Sequence, residues 1–124
     1  YTLAALAGYS DAQYDLGMSY SYAVGTERNM AQAFDWFYKA AIQNNAAAQN
    51  NLGWMFYEGQ HVTKNLVLAL AWSELSMSNG YGSENNGLYR RSMTDQEILK
   101  GKGLAERCYL LMEIRGCMPH RNDE

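Results

Sequence analysis

The sequence predicts an all-α solenoid of antiparallel helix pairs, and three observations predict it. First, the chain repeats itself. Shifted by 36 positions, Ala12-Gln13 falls on Ala48-Gln49, Leu16-Gly17 on Leu52-Gly53, Asn29 on Asn65, Ala33 on Ala69 and Trp36 on Trp72. Self-similarity at such a period marks a repeat array. Second, each copy carries two apolar stripes at helical spacing. Ala12, Leu16, Tyr20 and Ala23, then Ala48, Leu52 and Phe56, line one kind of helix, here helix A. Ala33, Trp36, Phe37, Ala40 and Ala41, then Ala69, Trp72 and Leu75, line a second kind, helix B. Third, the single proline is Pro119, so nothing interrupts helices in the interior.

In chain order, residues 1–8 match 37–44, with Ala4-Ala5 on Ala40-Ala41. They read as the second helix of a truncated preceding repeat, closed by a left-handed cap at Gly8. Unit 9–44 follows. Ser10 or Asp11 caps its helix A, which runs to about Tyr22. Gly17 sits mid-helix at a cost of ~1 kcal/mol against alanine. A glycine there in both copies predicts a second helix crossing too close for a Cβ. After a loop containing Gly25, Asn29 with Gln32 has capping-box spacing and opens helix B, which Asn44-Asn45 ends. Unit 45–80 repeats this. Its helix A ends near Glu58, Gly59 begins the loop, Asn65 caps helix B, and Gly80 closes it.

Unit 81–116 is degenerate. Leu88 keeps the leucine position, but Tyr89 replaces the glycine and Arg90-Arg91 follow. Thr94-Asp95-Gln96-Glu97 is a capping box that starts a final helix to about Ile114. Gly101 and Gly103 are expected to weaken its first half. A terminal unit with a polar outer face is expected of a solenoid, and 117–124 reads as a tail.

The bulk properties narrow the function classes. At 124 residues and net charge −3, with no basic block, a nucleic-acid footprint is not expected. No apolar run approaches the ~20 residues of a membrane span. The two cysteines, Cys108 and Cys117, would lie roughly 13 Å apart along a shared helix. That is too far for a disulfide unless the chain turns back, so free, partly buried thiols are expected. The chain begins partway through a repeat, and the lack of a leader sequence carries no information about compartment.

The repeated Ala-Gln, Leu-Gly, aromatic, Gly-containing loop, Asn, Ala, Trp pattern resembles the Sel-one-like repeat, a relative of the tetratricopeptide repeat. The resemblance rests on Ala12-Gln13, Leu16-Gly17, Tyr20, Ala33, Trp36 and Ala40-Ala41, and on Ala48-Gln49, Leu52-Gly53, Phe56-Tyr57, Gly59, Ala69 and Trp72. Plain tetratricopeptide repeats have a period of 34 and usually a proline after helix B, which is absent here. The second copy departs from the pattern with Ser76-Met77 in place of paired alanines. The resemblance implies a right-handed superhelix whose A helices line the concave surface. It also implies adaptor work, holding other proteins together, with a lean towards bacterial envelope systems for location.

On the side of helix A away from the packing stripe, the sequence places Asp11, Tyr14, Met18 and Tyr22 in one unit and Asn50, Trp54, Tyr57 and Glu58 in the next. A surface helix is ordinarily polar there. Trp and Tyr are favoured binding anchors, and Met adapts to varied partners. Arg90, in register with Trp54, is expected to add a charged contact at the far end. A partner peptide or helix segment in this concave groove is therefore expected, with core packing as the competing role for each aromatic. A glycan or peptidoglycan fragment stacked on the same rings is the alternative. The open N-terminal end is a candidate for self-association.

Chemistry is poorly represented. His61 and His120 have no second ligand at metal spacing, and His61 reads as a solvated loop residue. Gly101-Lys102-Gly103 lacks P-loop spacing. Some proteins resembling this family are linked to β-lactam or cell-wall chemistry, which needs S-x-x-K. None of Ser10, Ser19, Ser21, Ser73, Ser76, Ser78, Ser83 and Ser92 has a lysine three residues on. No cofactor, no metal and no enzymatic activity are expected.

Overall fold

The computed structural model describes residues 8–22, 27–81 and 85–111. These form six helices and, among the described residues, no strand: α1 (Ser10–Tyr22), α2 (Glu27–Ala41), α3 (Ala46–Glu58), α4 (Leu66–Ser78), α5 (Asn85–Arg91) and α6 (Asp95–Leu111). The expected helix fragment before Gly8, Ala23, Gly25 and the tail lie outside the described residues.

Side-chain caps mark the starts of α3, α4 and α6. The Ala48 N–H donates to Asn45 Oδ1 and the Leu68 N–H to Asn65 Oδ1, both at 3.0 Å. At α6 the capping box is reciprocal: Glu97 N–H donates to Thr94 Oγ1 at 3.2 Å, and Thr94 N–H to Glu97 Oε1 at 2.9 Å. Asn44 and Asn45 divide their work. Asn44 takes a left-handed turn at φ 67° while Asn45 caps α3. Gly59, at φ 73°, ends α3 by donating its N–H to Met55 O. Asn29 does not open its helix as expected. α2 already includes Glu27, two residues earlier.

α1 with α2, and α3 with α4, pack as antiparallel pairs. The paired Ala-Gln motif acquires a physical role here. Gln43 Nε2 donates to Gln13 Oε1 at 2.8 Å, and 36 residues later Asn79 Nδ2 donates to Gln49 Oε1 at 3.1 Å. Buried Gln49 also donates its Nε2 to Ala41 O at 3.0 Å, joining the end of α2 to α3 and α4. Ser76, in place of a paired alanine, uses its hydroxyl to bond Ala46 O at 2.7 Å.

The repeated glycines mark close crossings, as expected. A Cβ on Gly53 would lie 3.0 Å from the Ala69 carbonyl oxygen, and one on Gly17 would lie 2.7 Å from the Phe37 ring. The core runs through both pairs: Ala33, Phe34, Phe37, Leu52, Phe56, Ala69, Trp72 and Leu75 are all buried. Phe34 and Phe56 meet edge to face at 5.8 Å. The two equivalent tryptophans differ. Trp72 is wholly buried, with Tyr38 edge-on at 6.1 Å, whereas Trp36 is half-buried with Lys39 Nζ 4.3 Å above its ring.

The third unit departs furthest from the pattern. α5 has seven residues, and Tyr89, standing where a glycine permits a close crossing, is buried with its ring 5.0 Å from Tyr57. α5 touches α6 little, and α6 instead packs broadly on α4 and runs parallel to it. Gly101 is the reason α6 can do so. A Cβ there would lie 3.1 Å from Val67 O and from Leu70 Cδ2. Gly101 thus serves a close helix approach, and the expectation that it only weakens its helix is corrected. Cys108 is also corrected. It is buried and disulfide-bonded, and the sequence's only other cysteine is Cys117. The free-thiol expectation rested on the separation the two cysteines would have along a shared helix; Cys117 lies outside the described residues.

Candidate functional site

α1 and α3 lie side by side and parallel. Asn45 Nδ2 donates to Asp11 Oδ1 at 3.0 Å at their N-terminal ends, and Asn51 Nδ2 donates to Met18 Sδ at 3.2 Å further along. Between them and α2 opens a cleft of about 310 Å³, lined by Met18, Ser21, Tyr22, Met30, Phe37, Asn51, Trp54, Met55 and Gln60. Its walls are thioethers and aromatic rings, and its polar atoms come from Ser21, Tyr22, Asn51, Trp54 and Gln60.

Of the residues read as groove-facing from sequence, Met18, Tyr22 and Trp54 meet in this cleft. Tyr22 is the most open, at 75% exposure. Tyr14 stands beside it, half-buried, with its ring 5.8 Å from Phe37. Burial pushes the Tyr14 phenol above its ordinary value, and neighbouring Tyr81 adds to this; a hydrogen bond with Asn51 opposes it. Asp11 is exposed at the N-terminal end, holding Asn45. Glu58 is exposed at the last residue of α3, one turn beyond Trp54.

Tyr57 and Arg90 have structural partners. Tyr57 lies between Trp54, at 5.4 Å, and buried Tyr89, with Lys64 Nζ 5.2 Å from its centroid. It continues the aromatic wall into the core. Arg90 Nη2 pairs with Glu74 Oε1 at 3.0 Å, and Asn86 Nδ2 bonds Ser73 Oγ at 3.1 Å beside it. A partner's carboxylate would have to compete with Glu74 for Arg90. Asn50 is partly buried and does not line the cleft; its neighbour Asn51 does. Asn51 was legible as a lining residue, because it sits three residues before Trp54 on one helix face. Met30 and Phe37 were not, because they come from helix B and reach the cleft only through the α1–α2 crossing.

His61 is not solvated as expected. It sits at φ 66° with its ring 6.0 Å from Phe34, and its Nε2 is buried without a hydrogen-bond partner. Among the described residues, no group of three His, Cys, Asp or Glu side chains is placed to hold a metal, and no described helix is long and apolar enough to cross a membrane. The cleft's inventory suits burial of an apolar side chain with hydrogen bonds at its rim. It contains no paired nucleophile and base.

Antiparallel helix pairs repeating every 36 residues, with parallel A helices side by side, define a helical solenoid of the tetratricopeptide-like class. The Sel1 repeat model matches residues 10–45 and 46–81, more than half of the chain, and the chain belongs to the Sel1 repeat family. Sel1 repeats are, as a family, protein-interaction modules. No curated protein matches the chain.

Proposed function

We propose that the chain is a non-catalytic scaffold that binds a segment of another protein along the face shared by α1 and α3. The observation that carries this reading is the cleft itself. Met18, Tyr22 and Trp54 come from two successive repeats to one opening, and rings and thioethers at a shared opening are typical interface anchors. Tyr14 and Tyr57 extend the surface on either side. Asp11, Asn50 and Glu58 border it, and Arg90 lies at its far end. In this reading the array is a right-handed superhelix with that face concave, and 81–116 is its closing unit. The disulfide at Cys108 supports an oxidising compartment, in keeping with an exported chain.

The test is affinity capture from the source cell with wild type against a Tyr22→Ala/Trp54→Ala variant. Circular dichroism would confirm that the variant keeps its helices. A protein retained by wild type and lost from the variant supports the reading. Equal retention places binding elsewhere on the surface, and retention of glycan fragments alone replaces the protein partner with a sugar.

A further inference from the structure

Three acidic groups stand on the two helices that wall the cleft, outside its lining, and among the described side chains no basic residue pairs with them. α1 and α3 contain Asp11, Asp15 and Glu58 and not one lysine or arginine. Among the described residues, none of the three has a cation within salt-bridge distance. Three bases with described side chains are engaged elsewhere. Lys64 lies over the Tyr57 ring, Lys39 over Trp36, and Arg90 on Glu74. The Asp11–Asn45 bond sets the helices in register. From that level Asp15 lies one turn along α1, and Glu58 lies roughly 13 Å beyond Asp15 in the direction of the helix axes. The apolar opening formed by Met18, Tyr22 and Trp54 lies between these acids.

We propose that the partner segment is cationic: an apolar anchor side chain flanked by lysine or arginine. The inference rests on the protein-binding reading above and specifies its chemistry. The anchor fills the cleft of about 310 Å³, against Met18 and Trp54. The flanking cations meet Asp11 and Asp15 at one end and Glu58 at the other, and exposed tyrosine rings such as Tyr22 offer faces to the same cations. On the floor, the Asn51 amide donates to a thioether, a weak acceptor that an incoming backbone carbonyl can replace.

The test is selection from an unbiased random 12-mer peptide library on the immobilised chain. Selected peptides are then measured against wild type, Tyr22→Ala, Trp54→Ala and an Asp15→Asn/Glu58→Gln double variant. Tyr22 and Glu58 are exposed, so these changes leave the fold intact even if Trp54→Ala does not. The expected result is enrichment of peptides with an apolar residue between lysines or arginines. Their affinity should fall roughly fivefold in the double variant and weaken with added salt. Peptides that depend on Tyr22 and Trp54 but show no excess of cations, and are indifferent to the double variant, overturn the charge inference and leave the groove reading standing. Peptides indifferent to every variant, or no enrichment at all, overturn both.

Discussion

Gly53 and Gly103 are both helical glycines, and alanine should act on them with opposite sign. At Gly103 nothing lies within 4 Å of the added Cβ, so the substitution gains only helix propensity, about 0.8 kcal/mol. At Gly53 the same gain is opposed. The Cβ would stand 3.0 Å from Ala69 O and 3.5 Å from Ser73 N, both backbone atoms in the middle of α4. A side chain can rotate away, but a helical carbonyl retreats only if α3 and α4 separate along their length. Overpacking of this kind costs ~1–3 kcal/mol. Set against the propensity gain, Gly53→Ala should lose about 1 kcal/mol net. The two variants should therefore differ by about 2 kcal/mol. With a urea m-value of about 2 kcal/mol/M, their unfolding midpoints separate by roughly 1 M, on either side of wild type. Equilibrium urea titration followed by far-ultraviolet circular dichroism reads this directly. If Gly53→Ala is as stabilising as Gly103→Ala, the close crossing does not constrain the fold and the reasoning from repeated glycine to helix contact is wrong.

Two further substitutions probe the buried polar groups. Gln49→Ala removes two buried hydrogen bonds, although the Ala41 carbonyl keeps the Asn44 N–H and the Asn79 amide keeps Leu75 O, and should cost about 1–2 kcal/mol in a thermal or urea melt. A change under 0.5 kcal/mol would mean that water replaces the amide. Tyr89→Phe should be neutral or stabilising at pH 7, because the buried Tyr89 hydroxyl has no well-aligned hydrogen bond. Its phenol is held well above the usual value, first by burial and then by Tyr57 and Glu58, with Asn85 opposing. A raised folded value means the native state keeps a proton that the unfolded chain releases above about pH 10. Wild-type stability from this group is complete below pH 10 and falls as pH rises further. The decline should be shallower in Tyr89→Phe, and parallel pH profiles for the two proteins would refute the assignment.

The sequence by itself determined the class of fold, because the signal was repeated. Leu52, Phe56, Ala69 and Trp72 recur at 36-residue spacing from Leu16, Tyr20, Ala33 and Trp36, and a period sampled twice separates core from accident. The caps at Asn65 and Thr94 were legible for a similar reason: they are local chemistry, settled within four residues. What lay between repeats was not legible. Tyr89 in a glycine position fills the space of a close crossing, and Gly101 opens another on α6. That α6 lies on α4 rather than α5 appears only in the tertiary packing. The cleft is of the same kind. Periodicity could put Met18, Tyr22 and Trp54 on outward faces, but the residues that close it, Met30, Phe37 and Gln60, belong to other elements. Helical spacing reports which face a side chain shares with its own neighbours. Which other helix meets that face depends on crossing geometry, and that is decided by packing across the chain.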